Sequence, residues 1–231
     1  MLHEPLVNAS TSAMLKPLLD LLFPIPSLDG GEGQWVTEEE WASITKLESI
    51  YITKSELQKM GCNDIDAVIA AADYRSSPLL RKAIRTLKYK RIPALADILA
   101  YTMIEAASEM LTLDANHSVT LCPIPLHWTR QFQRGFNQAH VLAENISREK
   151  SWPVEQILIR RKPTGHQAWR KREERLQAMK NVFCINTKVP VADTVILVDD
   201  LLTTGATMQA CAAECKKAGA TRVLGLTIAR G

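Results

Sequence analysis

The run Val195-Ile-Leu-Val-Asp-Asp-Leu-Leu-Thr-Thr-Gly-Ala-Thr-Met208 constrains this chain more than any other stretch. Val195 to Val198 are apolar, three of them β-branched, and read as a strand buried on both faces. Asp199 and Asp200 follow at once. Thr203, Thr204, Gly205, Ala206 and Thr207 then make a hydroxyl-rich turn, and Met208 to Ala218 reads as a helix stopped by Gly219. A loop from a strand's carboxyl end to a helix's amino end aims backbone N–H groups at one spot. The helix dipole adds partial positive charge there, so the spot favours an anion. The threonine hydroxyls can donate to phosphate oxygens, and Gly205 lets the backbone approach closely. Asp199 and Asp200, one loop earlier, are placed to accept from sugar hydroxyls or to hold Mg²⁺ through water. This order of residues asks for a sugar phosphate.

Other phosphate motifs are excluded. Gly-x-x-x-x-Gly-Lys-Ser/Thr and Gly-x-Gly-x-x-Gly are both absent. With 231 residues the chain suits one α/β domain plus a modest N-terminal addition. A net charge of +3 is too weak to argue for nucleic acid by itself. Five cysteines with no Cys-x-x-Cys pair suit a reducing cytoplasm, and Cys211 and Cys215, one helical turn apart, read as buried thiols. No apolar run approaches the roughly 20 residues of a membrane span, and no signal peptide is evident at the start.

Residues 1–64 read as an accessory segment and 65–231 as the main domain. In the first, Met14 to Phe23 is a helix candidate, Ser27 to Gly33 a loop, and Thr37 with Glu40 a capping box. Ala67 to Tyr74 is a strand or a buried helix piece. Pro78 to Tyr89 is a basic amphipathic helix, and a second helix spans about Ala94 to Leu111. Val119 to Leu126 is a strand running into a stiff loop, because Pro123 and Pro125 cannot donate to a ladder. After Arg130, Arg134, Gly135, Phe136, Asn137 and Gln138 a helix runs to about Arg148. Val154 to Arg160 and Asn181 to Asn186 are further strands, Gln167 to Met179 a charged helix, and Arg222 to Arg230 the last strand. Alternating strands and helices after residue 115 imply a parallel sheet with right-handed crossovers. Ligands then bind outside the carboxyl ends of strands, so the Pro123–Leu126 exit and the Asp199–Thr207 loop can share one crevice.

The Val195–Met208 run resembles the 5-phosphoribosyl-1-pyrophosphate (PRPP) signature of type I phosphoribosyltransferases. Further matches narrow the resemblance to the ComF/GntX-type phosphoribosyltransferase-like family. They are Leu22-Phe-Pro24, Tyr74, Lys88-Tyr89, Pro123-Ile-Pro-Leu126, Arg134-Gly-Phe-Asn-Gln138, and Gln167 with Arg175. The resemblance covers about 65–231 and implies a twisted parallel sheet flanked by helices, with a small helical N-terminal segment. Family members usually begin with a four-cysteine zinc module. No cysteine precedes Cys62 here, so no zinc is expected, and Trp35, Trp41 and the Leu21–Phe23 cluster are expected to fill that space. Gln177 and Ala178 also depart from the pattern.

By this resemblance Thr203 to Thr207 hold the 5′-phosphate of PRPP, and Asp199 and Asp200 take the ribose hydroxyls and a hydrated Mg²⁺. Pro123, Ile124, Pro125 and Leu126 form the pyrophosphate loop. Arg134, with Arg130, stabilises charge as a catalytic group. Lys88 reads either as a pyrophosphate contact or as a solvated lysine, with the second favoured. Asn137 and Gln138 read as helix caps, and His127 and His166 as packing or surface residues. Thr203 stands where purine salvage enzymes often place an Asp base, which argues against purine salvage. The enzyme reading is Mg²⁺-dependent phosphoribosyl transfer to an unassigned acceptor. The alternative is a non-catalytic PRPP- or nucleotide-binding competence or DNA-uptake factor. Its partners would be single-stranded DNA or a competence helicase, with Arg81 to Arg91 and Arg160 to Arg175 as phosphate contacts. A homo-oligomer is compatible with either.

Overall fold

The computed structural model describes residues 27, 28, 30, 36–90, 92–110, 118–163, 174, 178–179 and 181–231. In chain order the described elements are α1 (Glu38–Thr45), β1 (Ile50–Thr53), α2 (Lys54–Lys59), β2 (Ala67–Asp73), α3 (Pro78–Tyr89), α4 (Pro93–Met110), β3 (Val119–Pro123), α5 (Trp128–Arg134), α6 (Gln138–Lys150), β4 (Leu158–Arg160), β5 (Phe183–Ile185), β6 (Thr194–Leu202), α7 (Ala206–Lys217) and β7 (Arg222–Arg230). The main sheet runs β1-β2-β7-β6-β3, and β4 pairs with β5 in a separate two-stranded sheet. The pairs β2–β7, β7–β6 and β6–β3 are parallel, while β1 joins β2 antiparallel. The mostly parallel α/β sheet flanked by helices expected from sequence is therefore present.

Alternation along β6 divides two cores. Ile196 and Val198 face α3, α4 and α6, in a cluster with Ile84, Leu99 and Leu142. Val195 and Leu197 face the other way, with Met208, Cys211 and Cys215 of α7. Gly225 of β7 lets α7 lie close, since a Cβ there would collide with Met208 Sδ and come within 2.9 Å of Val68 Cγ2. Cys211 and Cys215 are buried thiols, as read from sequence.

Several expectations shift. Ala67 to Asp73 is a strand, buried at all but its last residue. The signature strand does not stop at Val198. It runs on to Leu202, so both acids lie within it, held by ladder pairs such as Asp199 with Thr227 and Leu201 with Ala229. Helix α7 starts at Ala206, two residues before the expected Met208. The strand expected over Val154 to Arg160 is only Leu158–Arg160, with Val154 making an isolated bridge to Leu121. Residues 50–64, assigned to the accessory segment, supply β1 and α2, and β1 hydrogen-bonds into the main sheet. The Thr37–Glu40 capping box forms, with both reciprocal bonds present.

The helix of Met14 to Phe23, the Leu22-Phe-Pro24 match, Trp35, His166, Gln167 and Arg175 lie outside the described residues. So does the helix of Gln167 to Met179, apart from Glu174, Ala178 and Met179. Trp41 packs against Tyr101 with ring centroids 5.9 Å apart. No helix among the described residues is long and apolar enough to cross a membrane.

Candidate functional site

Strands β3 and β6 are parallel neighbours, yet the helices that follow them leave toward opposite faces. Leu142 and Ile146 of α6 join the core of Ile196 and Val198. Met208 and Cys211 of α7 join the core of Val195 and Leu197. Such a switch point opens a crevice at the carboxyl ends of the two strands. The proline loop and the threonine turn both begin there.

The turn is built on Gly205, whose φ of 76° is left-handed. A Cβ at this position would stand 2.6 Å from Cys62 Sγ, so the turn also needs a bare α-carbon. Gly205 caps α7 without a side-chain bond, and the first turn of α7 carries no acid. Thr204 Oγ1 accepts the Ala206 N–H at 3.4 Å. The first residues of α7 line a small cleft of about 40 Å³ together with Asp199, Thr203, Thr204 and Gly205. A helix amino end with no competing carboxylate is suited to an anion.

A second cleft, about 120 Å³, adjoins the first and shares Asp199 and Thr207 with it. Its wall includes Ile124, Pro125 and Leu126 from the proline loop, Arg130 and Arg134 from α5, and Asp200. The sequence-named residues thus line two joined clefts, except Pro123. Pro123 is the last residue of β3 and is buried beside them. The Ile124 N–H donates to the Val198 carbonyl at 2.9 Å, which ties the loop to β6. Asn137 caps α6 by accepting from the Ala139 N–H at 3.1 Å, and its Nδ2 donates to the Ile124 carbonyl at 3.1 Å. The capping reading of Asn137 holds, with a second duty as a clamp on the loop. His127 is buried at the start of α5, where Nδ1 lies 2.9 Å from Thr129 Oγ1, a packing and capping role.

The acids differ in surroundings. Asp200 is buried; its Oδ2 lies 3.1 Å from Lys88 Nζ and accepts from Gln138 Nε2 at 3.3 Å. Gln138 Oε1 in turn accepts from Arg134 Nη1 at 2.9 Å. Gln138 is therefore no helix cap: its amide bridges an acid to a cation. Arg134 also lies over the Tyr89 ring, 5.8 Å from its centroid. Asp199 Oδ1 accepts the Asp200 N–H at 2.8 Å. Burial, and secondly the charge of Asp200, push the Asp199 carboxyl up to about 7, against the pull of that N–H, Lys88 and Arg160.

Lys88, Gln138 and Arg160 complete the second cleft. From sequence, Lys88 reads as a pyrophosphate contact or, with more weight, a solvated lysine, Gln138 as a cap, and Arg160 as a DNA contact. The resemblance marked Lys88 and Gln138, but no local pattern places the three together, because the cleft gathers them from α3, α6 and β4. Arg160 packs on the Phe183 ring, 5.4 Å from its centroid. Burial, then Arg130, pull its pKa downward. Four cations (Lys88, Arg130, Arg134, Arg160) and two acids share one cleft, an excess of positive charge that suits a polyanion.

No group of three or more His, Cys, Asp or Glu among the described residues is arranged to hold a metal ion. Two carboxylates do fit a Mg²⁺ that takes its remaining oxygens from water and from ligand phosphates, the usual manner for this ion.

No protein-family model matches the chain. It is 38% identical over 112 residues to competence protein ComFC of Bacillus subtilis, covering 48% of this chain and 44% of that protein. It is 35% identical over 103 residues to competence protein F of Haemophilus influenzae, covering 43% and 44%. The chain thus spans less than half the length of these two relatives. It is 30% identical over 159 residues to the DNA utilization protein YhgH of Escherichia coli, covering 68% of each chain. Among solved structures, the allosteric regulatory enzyme of purine biosynthesis is a loose likeness: TM-score 0.40, 17% identity, 63% of this chain and 30% of that one. With the extended match to YhgH and shorter matches to two competence proteins, the chain belongs to the ComF-type family of these proteins.

Proposed function

We propose that the chain binds PRPP with Mg²⁺ across the two joined clefts and transfers its phosphoribosyl group to an acceptor. The carrying observation is that a bare helix amino end meets four cations and two acids at one switch point. In this reading the turn from Thr203 to Thr207 binds the 5′-phosphate through hydroxyls and N–H groups. Asp199 and Asp200 accept from the ribose hydroxyls. Arg130 and Arg134, with Arg160 and the Ile124–Leu126 backbone, receive the pyrophosphate. The bond from the ribose carbon to the pyrophosphate oxygen breaks, its electron pair leaves with pyrophosphate, and the acceptor's lone pair forms the new bond. Mg²⁺ held by Asp199 and Asp200 would draw charge from the leaving group. Arg134, already fixed by Gln138 and Tyr89, and Arg160, packed on Phe183, stabilise that charge without rearranging.

Calorimetry with PRPP and Mg²⁺ tests this reading on wild type and the double variant Asp199→Asn/Asp200→Asn. Binding is expected in the wild type and about tenfold weaker, or about 1.4 kcal/mol, in the double variant. Pyrophosphate release in the presence of nucleobase or amine acceptors tests catalysis. Equal affinity in both proteins overturns the ribose role of the acids.

A second reading is favoured by one feature. Trp128 and Phe132, on the helix that carries Arg130 and Arg134, and Tyr89, under Arg134, are 70%, 87% and 74% exposed. Exposed rings among cations are a stacking surface for single-stranded nucleic acid. The relatives named as competence and DNA utilization proteins accord with a role in DNA uptake, with single-stranded DNA or a helicase as partner. A salt-dependent single-strand shift that Trp128→Ala/Phe132→Ala abolishes would support it.

A further inference from the structure

Lys88 stands apart from the other cations of the site. It sits near the end of α3, on a helix that reaches the cleft from the side opposite α7. Its Nζ is 3.1 Å from Asp200 Oδ2, with the lysine side chain 24% and the aspartate side chain 7% exposed. The Gln138 amide holds the same oxygen from a second direction. One of the two acids that would receive a divalent cation is thus already neutralised from within the chain.

A bare cation approaching Asp200 Oδ2 must displace Lys88. The displaced ammonium then faces Arg130, Arg134 and Arg160 in the same cleft, all of like charge. Breaking a sheltered ion pair without supplying a new partner is unfavourable. An incoming pyrophosphate removes that obstacle. Its oxyanions offer the ammonium a new partner within the same cleft, and the lysine's flexible four-carbon stem lets the head swing across. Asp200 is then free.

We propose that Lys88 is an internal counter-ion that withholds Asp200 from a bare divalent cation and releases it to one that arrives with a pyrophosphorylated sugar. This rests on the PRPP reading for the identity of the ligand, but not for the shielding itself. Lys88 is a positioning residue here, because it acts through Asp200. The arrangement selects the order of loading: polyanion and cation together, not cation first.

The test uses Mn²⁺ as the probe, measured by calorimetry on the full chain without any sugar phosphate. Lys88→Met is expected to bind Mn²⁺ about fivefold more tightly than wild type, a gain abolished in Lys88→Met/Asp200→Asn. With Mn²⁺ saturating, the same Lys88→Met variant is expected to bind PRPP about tenfold more weakly, while Lys88→Arg keeps both affinities near wild type. The opposite signs of the two effects are what a merely structural lysine would not produce. Unchanged or weaker Mn²⁺ binding in Lys88→Met overturns the proposal. Lys88→Gln repeats the measurement with a polar head should the methionine disturb the fold. A wild type that binds no PRPP at any Mn²⁺ concentration sinks the ligand reading alone, and the manganese comparison still decides the shielding role.

Discussion

Asp199 and Asp200 are consecutive in the chain but belong to opposite faces of the sheet, joined by a 2.8 Å bond from the Asp200 N–H to Asp199 Oδ1. Strand alternation sends Asp200 to the side of α3 and α6, where Lys88 and Gln138 meet it. Asp199 goes to the side of β4 and α7, where Arg160 contributes at longer range. One acid is ion-paired within the chain; the other is held by a backbone N–H and has its proton affinity raised.

That asymmetry makes ligand binding pH-dependent. A raised carboxyl is protonated below about 7 and ionised above it. A bound cation requires the ionised form, so Mg²⁺-dependent PRPP affinity should climb from pH 6 to pH 8 and level off above. Titrations at three pH values would show this slope, and Asp199→Asn should flatten it. A wild-type affinity that is level across the range removes Asp199 from the metal's neighbourhood.

The same shift acts on stability with the reverse sense. The folded carboxyl binds its proton more tightly than the unfolded one, so ionising it opposes folding. Stability is therefore lost as pH rises from the ordinary carboxylate range toward about 7, and stays lowered above. Asp199→Asn should melt at a higher temperature than wild type at pH 8, and the gap should shrink at pH 5. A variant that melts lower at pH 8 would contradict the buried-charge account.

Gly205 is doubly constrained. Gly205→Ala must strain a left-handed backbone and meet Cys62 Sγ at 2.6 Å. The expected loss is about 1–3 kcal/mol in denaturant unfolding. Adding Cys62→Ala should recover the collision but not the backbone strain, so recovery is partial. Full recovery would mean that φ at this turn costs nothing.

Gln138 couples Arg134 to Asp200 through the two ends of one amide. Gln138→Leu and Arg134→Ala should each weaken PRPP binding about tenfold. Their combination should fall short of the product, because each removes the same link. Strict additivity in the double-variant cycle would show that the two residues act separately.

The junction from Val195 to Met208 was legible because strand, turn and helix amino end are contiguous. Local rules for apolar runs, glycine and helix termini act within a dozen residues. The loop at Pro123 to Leu126 and the capping by Asn137 were legible for the same reason. The continuation of β6 to Leu202 was not, since β7 supplies the ladder that carries Asp199 to Leu202 as a strand. Nor was the strand state of Ile50–Thr53, a four-residue stretch stabilised by pairing with β2.

By itself, then, the order of residues determined a threonine-rich turn at a helix amino end, an acidic pair and a mostly parallel α/β sheet. Tertiary structure decided what surrounds that pair. Lys88, Gln138 and Arg160 come from α3, α6 and β4, and no local pattern shows that they meet at one cleft. The tertiary fold brings their charges to one cleft with the two acids, because electrostatic partners are chosen by distance in space and not by separation along the chain.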